Sequence, residues 1–144
     1  ILAALAFIWG NSLDSAVESA AKSGRVGELL RPLLELVVGQ GGVTDHLIRK
    51  LAHFTEYAVL GALLLLLTAV GFRVRLQTVV NCLFFLMAAA LTDETIQMFS
   101  DGRSSQLTDV WLDFSGAMAG ILVGVFCLAL CRMCWLLYKH RNED

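Results

Sequence analysis

Apolar residues in this chain come in long blocks, and the polar residues gather at the block ends. A membrane-spanning helix needs about 20 mostly apolar residues. Three blocks meet that length: about His53 to Phe72, about Leu76 to Met98, and about Leu112 to Tyr138. A fourth, ILAALAFIW, opens the chain at Ile1 and reads as the end of a longer apolar helix whose start is missing. A signal peptide is the alternative, but no small-residue cleavage site follows. Gly71 and the RVR stretch with Arg73 and Arg75 leave a short link, which predicts a tight antiparallel hairpin between the second and third spans.

Residues 12–48 break the pattern. SLDSAVESAAKSGRVGELL mixes small, polar and charged residues, PLLELVV follows, and GQGG (Gly39 to Gly42) closes the segment. Leu29, Leu30, Leu33, Leu34, Val37 and Val38 need a surface to cover, which predicts one or two short helices on the membrane surface. Pro32 suits the first turn of a helix, and Arg31 before it is biased away from helix. Thr44 or Asp45 supplies a cap for the next helix. The expected fold is an all-α membrane protein: one domain over residues 1–144, with four spanning helices and short interfacial helices between the first two.

Composition agrees. Hydrophobic residues make up 57% of the chain and charged residues 17%, with a mean hydropathy of +0.68; soluble domains sit nearer half and a quarter. A net charge of −2 gives no electrostatic case for nucleic acid. Walker, GxGxxG, zinc-finger and HExxH patterns are absent from the sequence. Cys82, Cys127, Cys131 and Cys134 sit in apolar runs, which argues against a secreted disulfide framework. The last three share the stripe of the nearby glycines, where small packing residues at a helix contact are the expected role.

The threading of the spans has a chemical consequence. The second span begins, on the long-loop side, with Arg49, Lys50, His53 and Glu56. The third ends there with Asp93, Glu94 and Gln97. The loop DGRSSQ adds Asp101 and Arg103, and the fourth span begins with Asp109 and Asp113. At about 100° per residue, Asp109, Asp113, Gly116, Gly120 and Gly124 fall in one stripe. Small residues at that spacing admit a neighbouring helix closely, so both aspartates are expected to point into the bundle. The stripe serves equally a monomer or a homodimer joined through Gly116, Gly120 and Gly124. Lys and Arg counts on the two faces nearly tie, and the short basic hairpin and the tail with Arg132, Lys139 and Arg141 favour a cytoplasmic assignment for their side.

RKxxHFxEY, then DExxQxF with an Arg four residues after the Phe, then DxxxD followed by glycines, together resemble the VanZ-like membrane protein family over roughly residues 9–125. The matching positions are Lys50, His53, Glu56 and Tyr57; Asp93, Glu94, Gln97, Phe99 and Arg103; and Asp109, Asp113, Gly116 and Gly120. Asp113 departs from the pattern, which often has Asn there, and its extra charge calls for a proton or a cation. The resemblance implies a multi-pass protein of the bacterial cytoplasmic (inner) membrane. It also implies an association with low-level resistance to the glycopeptide-type antibiotic teicoplanin.

Three readings of the polar cluster follow. In the first, an extracytoplasmic pocket of Lys50, His53, Glu56, Asp93, Glu94, Gln97, Arg103, Asp109 and Asp113 recognises an envelope lipid, a lipid-linked cell-wall precursor or an antibiotic. Arg49, Lys50 and Arg103 then act as anion clamps. Trp9, Trp111, Trp135 and Tyr138 near helix ends read as an aromatic belt, with a wall of the site as the alternative for Trp111. In the second, His53, Glu56, Asp93 and Glu94 work as acid and base, or His53, Glu56 and Glu94 hold a divalent cation, in a hydrolase or transferase acting on a lipid-linked substrate. In the third, the charges pair among themselves and only hold helix ends in register. A transport path is poorly supported, because Thr68 and Asn81 are the only clearly polar groups in mid-span. Ser104 and Ser105 are expected to cap the last helix.

Overall fold

The structure is a computed structural model that describes residues 1–39, 41–71, 74–103 and 105–143. Gln40, Phe72, Arg73, Ser104 and Asp144 lie outside the described residues, as do the side chains of Ser23, Arg25, Val26, Val37, Val38 and Glu143. Five helices account for nearly all of the described chain: α1 (Leu2–Ser12), α2 (Ala16–Val38), α3 (Asp45–Gly71), α4 (Leu76–Gln97) and α5 (Leu107–Glu143).

Three of these helices, α3, α4 and α5, are long and apolar enough to cross a membrane. At 1.5 Å per residue, α3 reaches about 40 Å and α5 about 55 Å, against a hydrocarbon core about 30 Å thick. With 11 residues, α1 is too short on its own to span. It nonetheless packs in the bundle, where Leu5 and Ile8 are buried with Tyr57 and Leu60 of α3, Leu86 and Ala90 of α4, and Ala117 of α5.

The predicted glycine stripe is the seam of the bundle. A Cβ on Gly116 would strike the carbonyl of Phe54, one on Gly120 that of Ala58, and one on Gly61 that of Ala117. The matched order (54 with 116, 58 with 120) makes α3 and α5 parallel neighbours, with α4 running back between their directions. All of Gly116, Gly120 and Gly124 are buried against α3 within the chain, so a homodimer through that face would first have to displace α3.

Two expectations need correcting. Of the one or two short helices expected over this segment, a single one forms, and it is long: Ala16–Val38 runs unbroken through Pro32 instead of starting there. An interior proline costs about 3 kcal/mol, and Arg31 helps to offset it: its guanidinium donates to the Val43 carbonyl at 2.7 Å and to Asp45 at 3.1 Å, tying α2 to the start of α3. Leu29, Leu33 and Leu36 stay exposed on one side of α2, as on a helix lying against lipid. The second correction concerns Cys127, Cys131 and Cys134. They are exposed, because α5 runs on past the helices that pack against its first half. Cys82 alone is buried. The Thr44 cap forms as expected, its hydroxyl accepting from the Leu47 amide at 3.2 Å.

Candidate functional site

The site lies where the start of α3, the end of α4 and the start of α5 meet. The turn after α4 closes it. Gly102 takes a left-handed φ of 74° that only glycine adopts freely. The Ser100 hydroxyl donates to the Ser12 carbonyl at 2.8 Å, and the Ala16 amide donates to the Asp101 carbonyl at 3.0 Å. The loop is thereby fastened to the α1–α2 corner, which delivers Arg103 to the mouth of the site.

Behind that loop is a polar cavity of about 110 Å³, room for a few waters or a small polar group. Seven of the nine predicted residues line it: Lys50, His53, Glu94, Gln97, Arg103, Asp109 and Asp113. Asp93 does not line the cavity; it is fully buried beside His53, with its Oδ2 3.8 Å from the ring Nδ1. Glu56 points elsewhere: it accepts from the Asn11 amide at 3.2 Å, and its other oxygen is 4.0 Å from His53 Nδ1, beyond hydrogen-bond reach. Of the three expected metal ligands, then, only His53 sits with further potential ligands at close range. Glu94 is engaged by the Gln106 amide at 3.2 Å. His46 and Gln106 also line the cavity and escaped the sequence reading; His46 stands seven residues before His53 on one helix face, a signal that was available.

The charges divide into two groups. Lys50 in the second turn of α3 and Asp109 in the first turn of α5 form a direct ion pair at 2.8 Å. The other group is poorly satisfied. Both carboxylate oxygens of Asp113, one oxygen of Asp93 and Nδ1 of His53 are buried without a hydrogen-bond partner among the described residues. Buried polar atoms normally find partners. The Ser12 hydroxyl lies beside Asp93 without a hydrogen bond of ordinary geometry, whereas Gln97 donates to Asp93 at 3.1 Å. Trp111 does not wall the site; it is exposed, with its ring edge-on to Phe114.

Arg49 and Arg103 form no direct ion pair among the described residues. Arg49 contacts a ring nitrogen of His46 at 3.3 Å, and Arg103 reaches the Ser12 carbonyl only at 3.5 Å. Burial, and next the like charge of Arg49, pull the Arg103 guanidinium below its ordinary pKa. Both arginines line the polar cavity and also a second chamber of about 390 Å³. That chamber shares Phe7, Ile48, Ala52 and Glu56 with an apolar groove of about 570 Å³ between α1, α2 and α3. Polar cavity, mixed chamber and apolar groove are therefore neighbours that share wall residues.

A family model described as VanZ/LLP1 matches residues 1–131. No curated protein and no solved structure matches the chain.

Proposed function

We propose, from the premise that this chain belongs to the VanZ/LLP1 family, that it is a membrane protein that recognises an anionic envelope amphiphile. The acyl portion occupies the groove walled by Phe7, Ile8, Leu30, Leu34, Leu51 and Val59. The anionic head lies between Arg49 and Arg103 in the adjoining chamber. One observation carries this reading: two guanidiniums without an ion-pair partner among the described residues line a chamber that shares its walls with an apolar groove. Arginine suits the task, because its planar fork matches phosphate and carboxylate oxygens. In this reading α1 is the fourth helix of the bundle within the bilayer, and the site faces the extracytoplasmic side, opposite the basic hairpin and tail. Anionic lipids, lipid-linked precursors with a phosphate head and acylated glycopeptide-type antibiotics with a carboxylate all present an anionic, amphiphilic outline at that surface.

A network of charges that only pair with one another fits less well, since Asp113, Asp93 and His53 keep buried atoms without partners. A second reading, hydrolysis or group transfer on the same lipid-linked substrate, draws on His53, Asp93 and Asp113 lying beneath the head position.

Native mass spectrometry of the purified protein tests the proposal. Wild-type protein is expected to carry an anionic amphiphile. A charge-assisted hydrogen bond contributes about 1.5–3 kcal/mol, so Arg49→Ala and Arg103→Ala should each weaken retention by about tenfold or more. Ala52→Trp, which puts a bulky side chain at the wall that groove and chamber share, should abolish it. Retention unchanged in all three variants would overturn the proposal.

A further inference from the structure

We propose that His53, Asp93 and Asp113 form a binding site for one divalent transition-metal ion such as Zn²⁺ or Mn²⁺. One potential ligand atom from each of these residues lies within 4.8 Å of the others, and the three come from three different helices. An imidazole with two carboxylates suits ions that accept mixed nitrogen and oxygen ligands. The inference stands apart from the amphiphile proposal, because it concerns the ion alone.

Three observations converge on it. The first is burial without partners: Asp113 is 1% exposed, yet neither of its oxygens receives a hydrogen bond from a described residue. The second is the support given to Asp93, whose Oδ2 is held by Gln97 while its other oxygen has no hydrogen bond of ordinary geometry from the described residues. Orienting bonds of this kind accompany metal-ligating carboxylates. The third is charge. The cluster brings two carboxylates, Asp93 and Asp113, together beside His53, and neither forms an ion pair with a lysine or arginine among the described residues. A divalent ion matches those two carboxylates. The cations do not bar its entry: Lys50 is occupied by Asp109, and the arginines stand at the outer wall shared with the second chamber. Three protein ligands also leave coordination positions open toward the cavity, the arrangement of reactive rather than purely structural sites.

The test uses full-length protein in detergent, stripped with a chelator and dialysed. Mn²⁺ binding is read from the loss of the free-ion electron paramagnetic resonance signal, and Zn²⁺ binding from the shift in melting temperature. Wild type and Asp101→Asn, a change on the exposed rim, should each bind about one Mn²⁺ per chain. Asp113→Asn should bind at least about tenfold more weakly and lose the Zn²⁺-induced rise in melting temperature. Without metal, the same variant should melt no lower than wild type, because Asp113 has no hydrogen bond from a described residue to lose; a purely structural Asp113 would give the opposite sign. Gln97→Leu removes only the orienting bond and should cost about tenfold in affinity, and it decides the matter if Asp113→Asn does not fold. Wild type that takes up neither ion, or unchanged affinity in both variants, would overturn the proposal.

Discussion

Asp109 and Asp113 stand one turn apart on α5 and meet different fates. Asp109 pairs with Lys50 and keeps some contact with solvent; Asp113 is sealed in without a donor. Their shared stripe was legible from helical phase, and so was their inward direction, because the glycines that follow demand a close neighbour. Which carboxylate would find a cation was not legible: that depends on the relative rotation of three helices, which no single helix encodes. The glycines themselves make a graded prediction. A Cβ at position 120 meets the backbone of Ala58, which cannot move aside, whereas one at position 124 meets the mobile end of Leu65 at 3.0 Å and one at position 10 meets nothing within 4 Å. Gly120→Ala should therefore destabilise the bundle by about 1–3 kcal/mol or more, and Gly124→Ala by less. Gly10→Ala should be neutral or stabilising by about 0.5–1 kcal/mol, since alanine favours helix. Unfolding in mixed micelles measures the series, and equal effects at positions 10 and 120 would refute the close α3–α5 seam.

At the scale of elements, α2 shows what local sequence can and cannot say. Its start is written locally: Ser15 and Glu18 form a reciprocal capping box, with the Ser15 amide donating to Glu18 at 3.0 Å and the Glu18 amide to Ser15 at 3.3 Å. Its continuation through Pro32 is not local, because the contacts of Arg31 with Val43 and Asp45 come from beyond the next turn. The same distinction explains why α5 outran its expected end at Tyr138: apolar blocks mark where lipid is, and a polar helix continues past them as long as its backbone bonds are made. The capping box carries a prediction. Hydrogen bonds from the Ser15 backbone, then from its side chain, hold the Glu18 carboxyl below its ordinary pKa of 4.5. A depressed folded-state pKa contributes stability above the unfolded value, and that contribution is lost as pH falls through the folded value. Amides in the first turn of α2 should thus open more readily as the solution is acidified below about 4.5. Ser15→Ala removes the cap itself and should cost about 1 kcal/mol at neutral pH, or roughly fivefold faster hydrogen exchange there. Exchange rates indifferent to both changes would mean that the turn is held by something else.

For the whole molecule, the decisive fact is the direction of the chain. With α3 and α5 parallel and α4 antiparallel, every polar terminus carrying the site residues reaches one rim, and Arg75, Lys139 and Arg141 reach the other. That much was legible from block lengths and a short hairpin link, because a helix that crosses must come out on the far side. Which rim faces the cell exterior is a separate matter that charge counts alone barely decide. Labelling with a membrane-impermeant maleimide separates the two questions. The background replaces Cys82 with Ala and Cys127, Cys131 and Cys134 with Ser; the last three are exposed, so their loss disturbs no core. Asp101→Cys then reports the site rim and Arg141→Cys the tail. On intact cells Asp101→Cys should label fully, and Arg141→Cys only after the membrane is opened. The reverse result would keep the threading and place the site in the cytoplasm, removing envelope amphiphiles of the outer leaflet from its reach. Labelling of both positions from one side would mean that an odd number of crossings does not separate them. No arrangement of α3, α4 and α5 as three spans survives that outcome, and with it would go the physical reason for His53, Asp93 and Asp113 to share a site.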